Sequence, residues 1–121
     1  MLSVRVDGNT LGQVMCRLAG ELDLYSVPRF RQALADLPSG VRVLIDLSDV
    51  SFVDSAGLGA LVGAVRRARD LGGDAAVACA RPSLTRLLRT IGLDRLVIIS
   101  EDIEQAMAAL YGTTMSLPEA V

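Results

Sequence analysis

The chain has 121 residues, 51% of them apolar, and a net charge of −2 at pH 7. This length suits one domain with its own core, and no apolar run approaches the about 20 residues that a membrane span needs. The first residues lack the layout of a secretory signal and the net charge does not favour anionic partners, so we expect a cytoplasmic protein that binds neither nucleic acid nor membrane.

Strand patterns recur along the chain and are separated by helix patterns. The first two strands are joined by Asp7, Gly8 and Asn9, which have the composition of a hairpin turn. The third is an almost continuous apolar run, which is typical of a central strand covered on both faces. The predicted strands cover residues 2–6, 13–19, 41–47, 75–80 and 96–99.

Four helices are predicted between and after these strands. Serine stands where three of them begin, as Ser26, Ser55 and Ser100, and Pro82 opens the other. In the second helix an apolar stripe is expected at Leu58, Leu61, Val62 and Val65. In the helix after Pro82, the residues expected to face the core are Leu84, Leu87, Leu88 and Ile91.

The element order predicts the fold class. Strands that alternate with helices indicate an α/β domain with a mixed, mostly parallel sheet of about five strands, flanked by about four helices. Residues 1–112 are expected to form this single domain. Residues 113–121 show no periodicity and are predicted to be a flexible tail.

The chain contains two cysteines, Cys16 and Cys79, and both lie inside apolar strand-like segments. No CxxC pair is present, and free cysteine in such a segment behaves as a small buried hydrophobe. We therefore predict two buried, unpaired thiols rather than a disulfide or a redox site.

The segment DLSDVSFVDSAGLG, residues 46–59, joins the third strand to the second helix and carries Ser55. Gly57, Gly59 and Gly63 approximate a dinucleotide-binding fingerprint, but the last glycine comes one residue late. A serine hydrolase needs a glycine where Val53 stands and a histidine base, and the chain has no histidine. The sequence therefore predicts neither a catalytic residue nor a cofactor at this junction.

Two simpler interpretations of the junction remain. Asp46, Asp49 and Asp54 offer the oxygen ligands that magnesium prefers, but acids in a strand-to-helix loop more often stabilise turns and caps. Ser55 is predicted to cap the second helix by accepting the amide hydrogen of Gly57 or the following residue. A cap alone does not explain the small and acidic surroundings of Ser55, which suit presentation to another protein.

The chain resembles the STAS family, and in particular the bacterial anti-sigma factor antagonists. The resemblance rests on GELD at 20–23, on the long junction motif at 46–59, and on the segment from Arg86 to Leu93, and it spans roughly residues 2–110. It implies that Ser55 is phosphorylated by an anti-sigma factor with a histidine-kinase-like ATPase fold, which supplies ATP and magnesium. A PPM-type phosphatase would remove the phosphate. Some members carry a second serine where this chain has Ala56.

The same resemblance implies a partner-binding surface around the phosphorylated serine. Asp23 is either a cap or a partner contact, and Leu58 either belongs to the core or anchors the interface. The expected partner-binding residues are Asp23, Asp54, Ser55, Ala56, Gly57 and Leu58. The rival hypotheses are a STAS module that binds a partner constitutively, with Ser55 only a cap, and a small enzyme.

Overall fold

A computed structural model describes residues 1–8 and 12–110. The hairpin at the start is confirmed, although Asp7 and Gly8 belong to its first strand; Asn9 and the predicted tail at 113–121 lie outside the described residues. The elements are β1 (Leu2–Gly8), β2 (Gln13–Leu22), α1 (Val27–Ala35), β3 (Arg42–Val53), α2 (Ser55–Asp70), β4 (Asp74–Ala78), α3 (Pro82–Thr90), a 3-10 turn (Leu93–Arg95), β5 (Ile98–Ser100) and α4 (residues 103–110).

The five strands form one sheet in the order β1-β2-β3-β4-β5. β1 pairs antiparallel with β2, and the other neighbours pair in parallel. Each parallel connection passes through a helix to the next strand, and right-handed crossovers in one direction place their helices on one face. The predicted mixed, mostly parallel sheet is confirmed.

Two apolar cores lie on the two faces of this sheet. The larger one packs α1, α2 and α3 against alternate residues of β2, β3 and β4, such as Cys16, Ile45 and Val77. The smaller one packs α4, through Ala106 and Leu110, against the opposite face. Since both faces of the sheet are covered where β3 and β4 pair, residues 43–47 and 75–78 are buried and apolar except for Asp46.

Both cysteines lie in the interior, as predicted. Cys16 and Cys79 are unpaired and fully buried. Burial raises the pKa of the Cys16 thiol to about 12, because the apolar surroundings disfavour the thiolate. Among the described residues, no helix combines the length and the apolar character that crossing a bilayer requires.

The inward face of α3 is narrower than the sequence predicts. Leu84 and Leu88 are buried, but Leu87 and Ile91 are 39% and 47% exposed, so their predicted inward orientation is wrong. Thr85 takes an inward position instead, and its hydroxyl donates a hydrogen bond to the Cys79 carbonyl at 3.2 Å. The centre of the buried face therefore shifts towards Thr85, and Leu87 and Ile91 fall at its margin.

The predicted position of Ser26 at the start of α1 is confirmed, whereas the predicted cap at Ser100 is wrong. Ser26 stands directly before α1, but its side chain makes no capping bond to that helix. Ser100 lies in β5, and the carboxylate of Asp102 caps α4 instead by accepting from the Gln105 amide at 2.7 Å. An aspartate and a serine serve equally well as caps, so the sequence alone did not distinguish them.

Neighbouring leucines of α3 test this assignment. Leu88→Ala should lower the free energy of unfolding by about 2–5 kcal/mol, because a fully buried side chain is lost and a cavity remains. Leu87→Ala should cost about 0.5 kcal/mol, as expected for a surface position. Urea denaturation of both variants measures the difference, and equal losses would contradict the outward orientation of Leu87.

Candidate functional site

The far half of β3 leads directly to the candidate site. β3 pairs with β4 only as far as Asp46, whereas its pairing with β2 continues to Val53 through two register shifts. Bulges of this kind bend a strand and are common next to functional sites. The predicted end of this strand at Leu47 is therefore wrong, because the polar residues Ser48 and Asp49 end the apolar run on which that prediction depends, whereas the strand continues past them.

The three acids of the junction motif do not form a metal site. Asp46 is buried within β3, where its Oδ1 accepts the Ser48 amide at 3.0 Å, and Asp49 is exposed on the same strand. Asp54 alone stands at the start of α2. Across residues 1–8 and 12–110, no group of three or more acidic, cysteine or histidine side chains could hold a metal ion.

Asp54, not Ser55, caps α2. Its backbone is extended, and its Oδ1 accepts the Gly57 amide at 2.8 Å. Ser55 is the first residue of the helix, so the prediction that its hydroxyl forms the cap is wrong. Within the described part of the chain, no hydrogen bond joins the Ser55 hydroxyl to another residue, and Ser55 is exposed.

The second oxygen of Asp54 reaches across to the β2–α1 turn, residues 23–26. Asp54 Oδ2 accepts the Leu24 amide at 3.0 Å, and the Asp54 amide donates to the Leu22 carbonyl at 3.3 Å. One carboxylate thus joins the start of α2 to a turn 30 residues earlier in the chain. These bonds hold the pKa of Asp54 below its ordinary value, chiefly because the Gly57 amide donates to the carboxylate, while partial desolvation opposes the shift.

The β2–α1 turn is tied together by its own side chains. Asp23 Oδ1 accepts the amides of Tyr25 and Ser26, both at 3.0 Å. The Ser26 hydroxyl accepts the Asp23 amide at 2.9 Å and donates to the Glu21 carbonyl at 2.8 Å. The carboxylate of Asp23 is therefore committed to turn structure. Its predicted contact with a partner stays a prediction.

Gly57 allows α2 to approach β2 closely. A Cβ atom at this position would fall on the carbonyl oxygen of Leu22, so any other residue would push the helix away from the strand. Gly59 lies two residues further along the helix, and a Cβ atom there would meet open space. Gly57 is buried and packs against β2, and its predicted contact with a partner stays a prediction.

The predicted partner-binding residues thus divide by exposure. Ser55 is exposed, while Ala56 and Leu58 are partly buried against the larger core. Sequence reasoning missed Leu24 and Tyr25, two exposed apolar residues in the turn that Asp54 holds. The sequence does contain a signal for them. Both residues lie between a predicted strand and a predicted helix, and they fit the apolar pattern of neither element.

The chain is similar to known proteins over most of its length. A family profile described as the STAS domain matches residues 2–106, and the chain belongs to this family. The anti-sigma-B factor antagonist of Bacillus subtilis is 36% identical over 88 residues, which cover 72% of this chain and 81% of that protein.

Solved structures agree with the fold. The crystal structure of an anti-sigma factor antagonist from Mycobacterium paratuberculosis has a TM-score of 0.80 and 25% identity, and the match covers 91% of this chain and 94% of that one. The Bacillus cell fate determinant SpoIIAA, solved in its phosphorylated form, has a TM-score of 0.65 and 21% identity, with 88% and 98% covered. The predicted STAS fold is confirmed.

Two glycines of α2 form a matched pair for testing the close approach. Gly57→Ala should lower the free energy of unfolding by about 1–3 kcal/mol, because the added methyl group displaces the helix from Leu22. Gly59→Ala should raise it by about 0.5–1 kcal/mol, because alanine is the better helix former and space is available. Thermal unfolding compares the variants; a stabilising Gly57→Ala would contradict the packing described.

The titration of the Asp54 carboxylate should be visible in the NMR shifts of the two amides that it binds. Because its folded-state pKa lies below the ordinary 3.8, its contribution to stability is complete above that value and is lost as the pH falls through the folded-state pKa. We expect the NMR shifts of the Leu24 and Gly57 amides to change together, with a midpoint below 3.8.

The control is Asp54→Asn, whose amide oxygen still caps α2 but whose amide nitrogen cannot accept a hydrogen bond from Leu24. In this variant the Leu24 amide should exchange faster with solvent while the Gly57 amide stays protected. If both amides kept their wild-type exchange rates, the bridge described for Asp54 would be absent.

Proposed function

We propose that this chain is an anti-sigma factor antagonist whose binding to its anti-sigma factor is switched off by phosphorylation of Ser55. The observation that carries the proposal is the exposed Ser55 hydroxyl at the first turn of α2, beside a carboxylate that fixes the turn. The names of the relatives support an antagonist role, and a structural neighbour is known in a phosphorylated form.

The phosphate must come from a partner. The chain contains neither histidine nor lysine, so Ser55 has no usual base to activate it as a nucleophile. A kinase supplies ATP, magnesium and the base that accepts the hydroxyl proton, and the substrate need only present that hydroxyl in a fixed position. The proposed partner is an anti-sigma factor with serine kinase activity, and a PPM-type phosphatase in the same cytoplasm restores the free hydroxyl.

The effect of the phosphate follows from what already occupies the start of α2. A helix N-terminus favours anions, but here the Gly57 amide is committed to Asp54. A phosphate on Ser55 adds about −1.5 to −2 charges next to that carboxylate. The new charge therefore gains little from the helix and remains on the surface that the partner must desolvate.

We expect phosphorylation to reduce the free energy of binding to the partner and to leave the stability of the fold almost unchanged. Juxtaposed like charges or a buried dianion in an interface cost several kcal/mol. A loss of about 3–4 kcal/mol weakens binding a few hundredfold, which is enough to release the partner. The domain stays folded because the bonds of Asp54 and the packing at Gly57 do not involve the Ser55 hydroxyl.

The rival hypothesis is a STAS module that binds its partner constitutively and uses Ser55 only as a helix cap. The hydrogen bond of Asp54 to Gly57 weighs against it, because the cap is already provided. A constitutive partner would also leave the exposed hydroxyl without a role.

The test uses purified candidate anti-sigma factors of the kinase-like fold from the same organism, each with ATP and magnesium. Mass spectrometry should find one phosphate on wild-type protein, localised to Ser55, and none on Ser55→Ala. Ser83→Ala, which changes an exposed serine in the first turn of α3, should be phosphorylated as wild type.

Binding of the same variants completes the test. Ser55→Ala should bind the anti-sigma factor as tightly as the unphosphorylated protein, and Ser55→Asp should bind a few hundredfold more weakly. Isothermal titration calorimetry measures both. Tight binding by Ser55→Asp would refute the electrostatic switch, and binding without any phosphate transfer would favour the constitutive module.

A further inference from the structure

The β2–α1 turn presents two large apolar side chains to solvent. Leu24 is 64% exposed and its neighbour Tyr25 is 91% exposed. Single exposed apolar residues are ordinary, and Leu87 and Ile91, at the opposite end of the sheet, are exposed because they lie at the margin of the buried face of α3. Two adjacent ones, of which one is a tyrosine, form a compact apolar projection that needs a different explanation.

The backbone beneath this projection is fixed. The Leu24 amide is bound by Asp54, the Tyr25 amide is bound by Asp23, and Ser26 closes the turn through its hydroxyl. A backbone that is ordered before binding loses less conformational entropy when a partner buries the turn, which increases affinity.

The projection is continuous with the turn that presents Ser55. The same carboxylate holds both, since Asp54 Oδ2 binds the Leu24 amide and Oδ1 binds the Gly57 amide two residues after Ser55. A protein that seats the Ser55 hydroxyl in its active site must therefore approach Leu24 and Tyr25 in a defined position.

We propose that Leu24 and Tyr25 are the apolar anchor by which this chain docks onto its kinase partner, in a pocket next to the site that receives Ser55. The inference rests on the proposed function and identifies the surface that provides affinity. Tyrosine is prominent among the residues that dominate interface energetics, because its rigid ring buries a large area at low entropic cost.

The anchor and the phosphorylated serine then have different effects. Leu24 and Tyr25 lie outside the reacting centre, so they contribute equally to binding before and during phosphoryl transfer. Loss of such uniform binding raises KM and leaves kcat unchanged. The phosphate on Ser55 has a different effect: it weakens the complex after the transfer, so that the partner is released.

The experiment measures affinity and phosphorylation kinetics of the full chain with the kinase that phosphorylates wild-type Ser55. Tyr25→Ala should weaken binding about thirtyfold or more and raise KM by a similar factor at constant kcat. Leu24→Ala should weaken binding about tenfold, and Tyr25→Phe, which keeps the ring, should restore near wild-type affinity. Ile91→Ala removes a comparable exposed apolar side chain from the opposite end and should change nothing.

The outcomes separate this inference from the proposed function. If wild type is phosphorylated at Ser55 but Tyr25→Ala and Leu24→Ala bind as tightly, the anchor is refuted and the proposed function stands. If Tyr25→Ala changes self-association of the chain in analytical ultracentrifugation and not kinase affinity, the anchor serves a second copy and the inference is refuted. If no candidate kinase binds wild type, both fail. Circular dichroism checks that each variant is folded.

Discussion

The carboxylate of Asp54 is the constraint on which this end of the molecule depends. Its two oxygens bind amides from the start of α2 and from the β2–α1 turn, and they add to the contacts that the Asp54 amide and Gly57 make with Leu22. This bridge extends the contact between the two segments to Leu24, beyond the pairing of Leu22 with Val53. The exposed hydroxyl of Ser55 and the exposed side chains of Leu24 and Tyr25 therefore lie on two segments whose backbones the same carboxylate binds.

The bridge requires that α2 and β2 come close together. The bulges in β3 carry that strand to Val53, beside the end of β2, so that Asp54 emerges within reach of Leu22 and Leu24. The absence of a side chain at Gly57 then lets the helix settle against the Leu22 carbonyl. Strand irregularity, a glycine and a capping acid are thus successive parts of one arrangement.

The sequence contains enough information for the topology and less for this arrangement. Alternating strand and helix patterns are local signals, and they correctly indicate the element order and the mostly parallel sheet. The choice between Asp54 and Ser55 as the cap is not local, because both residue types cap helices and the partner at Leu24 is 30 positions away. The end of β3 is missed for a different reason: beyond Leu47 the strand pairs with β2 alone and carries exposed polar residues, so the apolar run stops before the strand does.

The polar side chains of this region fall into two groups, those whose hydrogen bonds stabilise the fold and one that makes no such bond. Several side chains here bind backbone amides or carbonyls, namely those of Asp23, Ser26 and Asp54. Changing their charge or their hydrogen bonds would therefore disturb the structure. The hydroxyl of Ser55 holds nothing together, and a group added to it changes the surface while leaving every one of those bonds in place. A reversible modification is best placed at such a residue, because a site that also stabilised the domain would link the signal to unfolding. Under the proposed function, the cap provided by Asp54 leaves the adjacent serine available for modification.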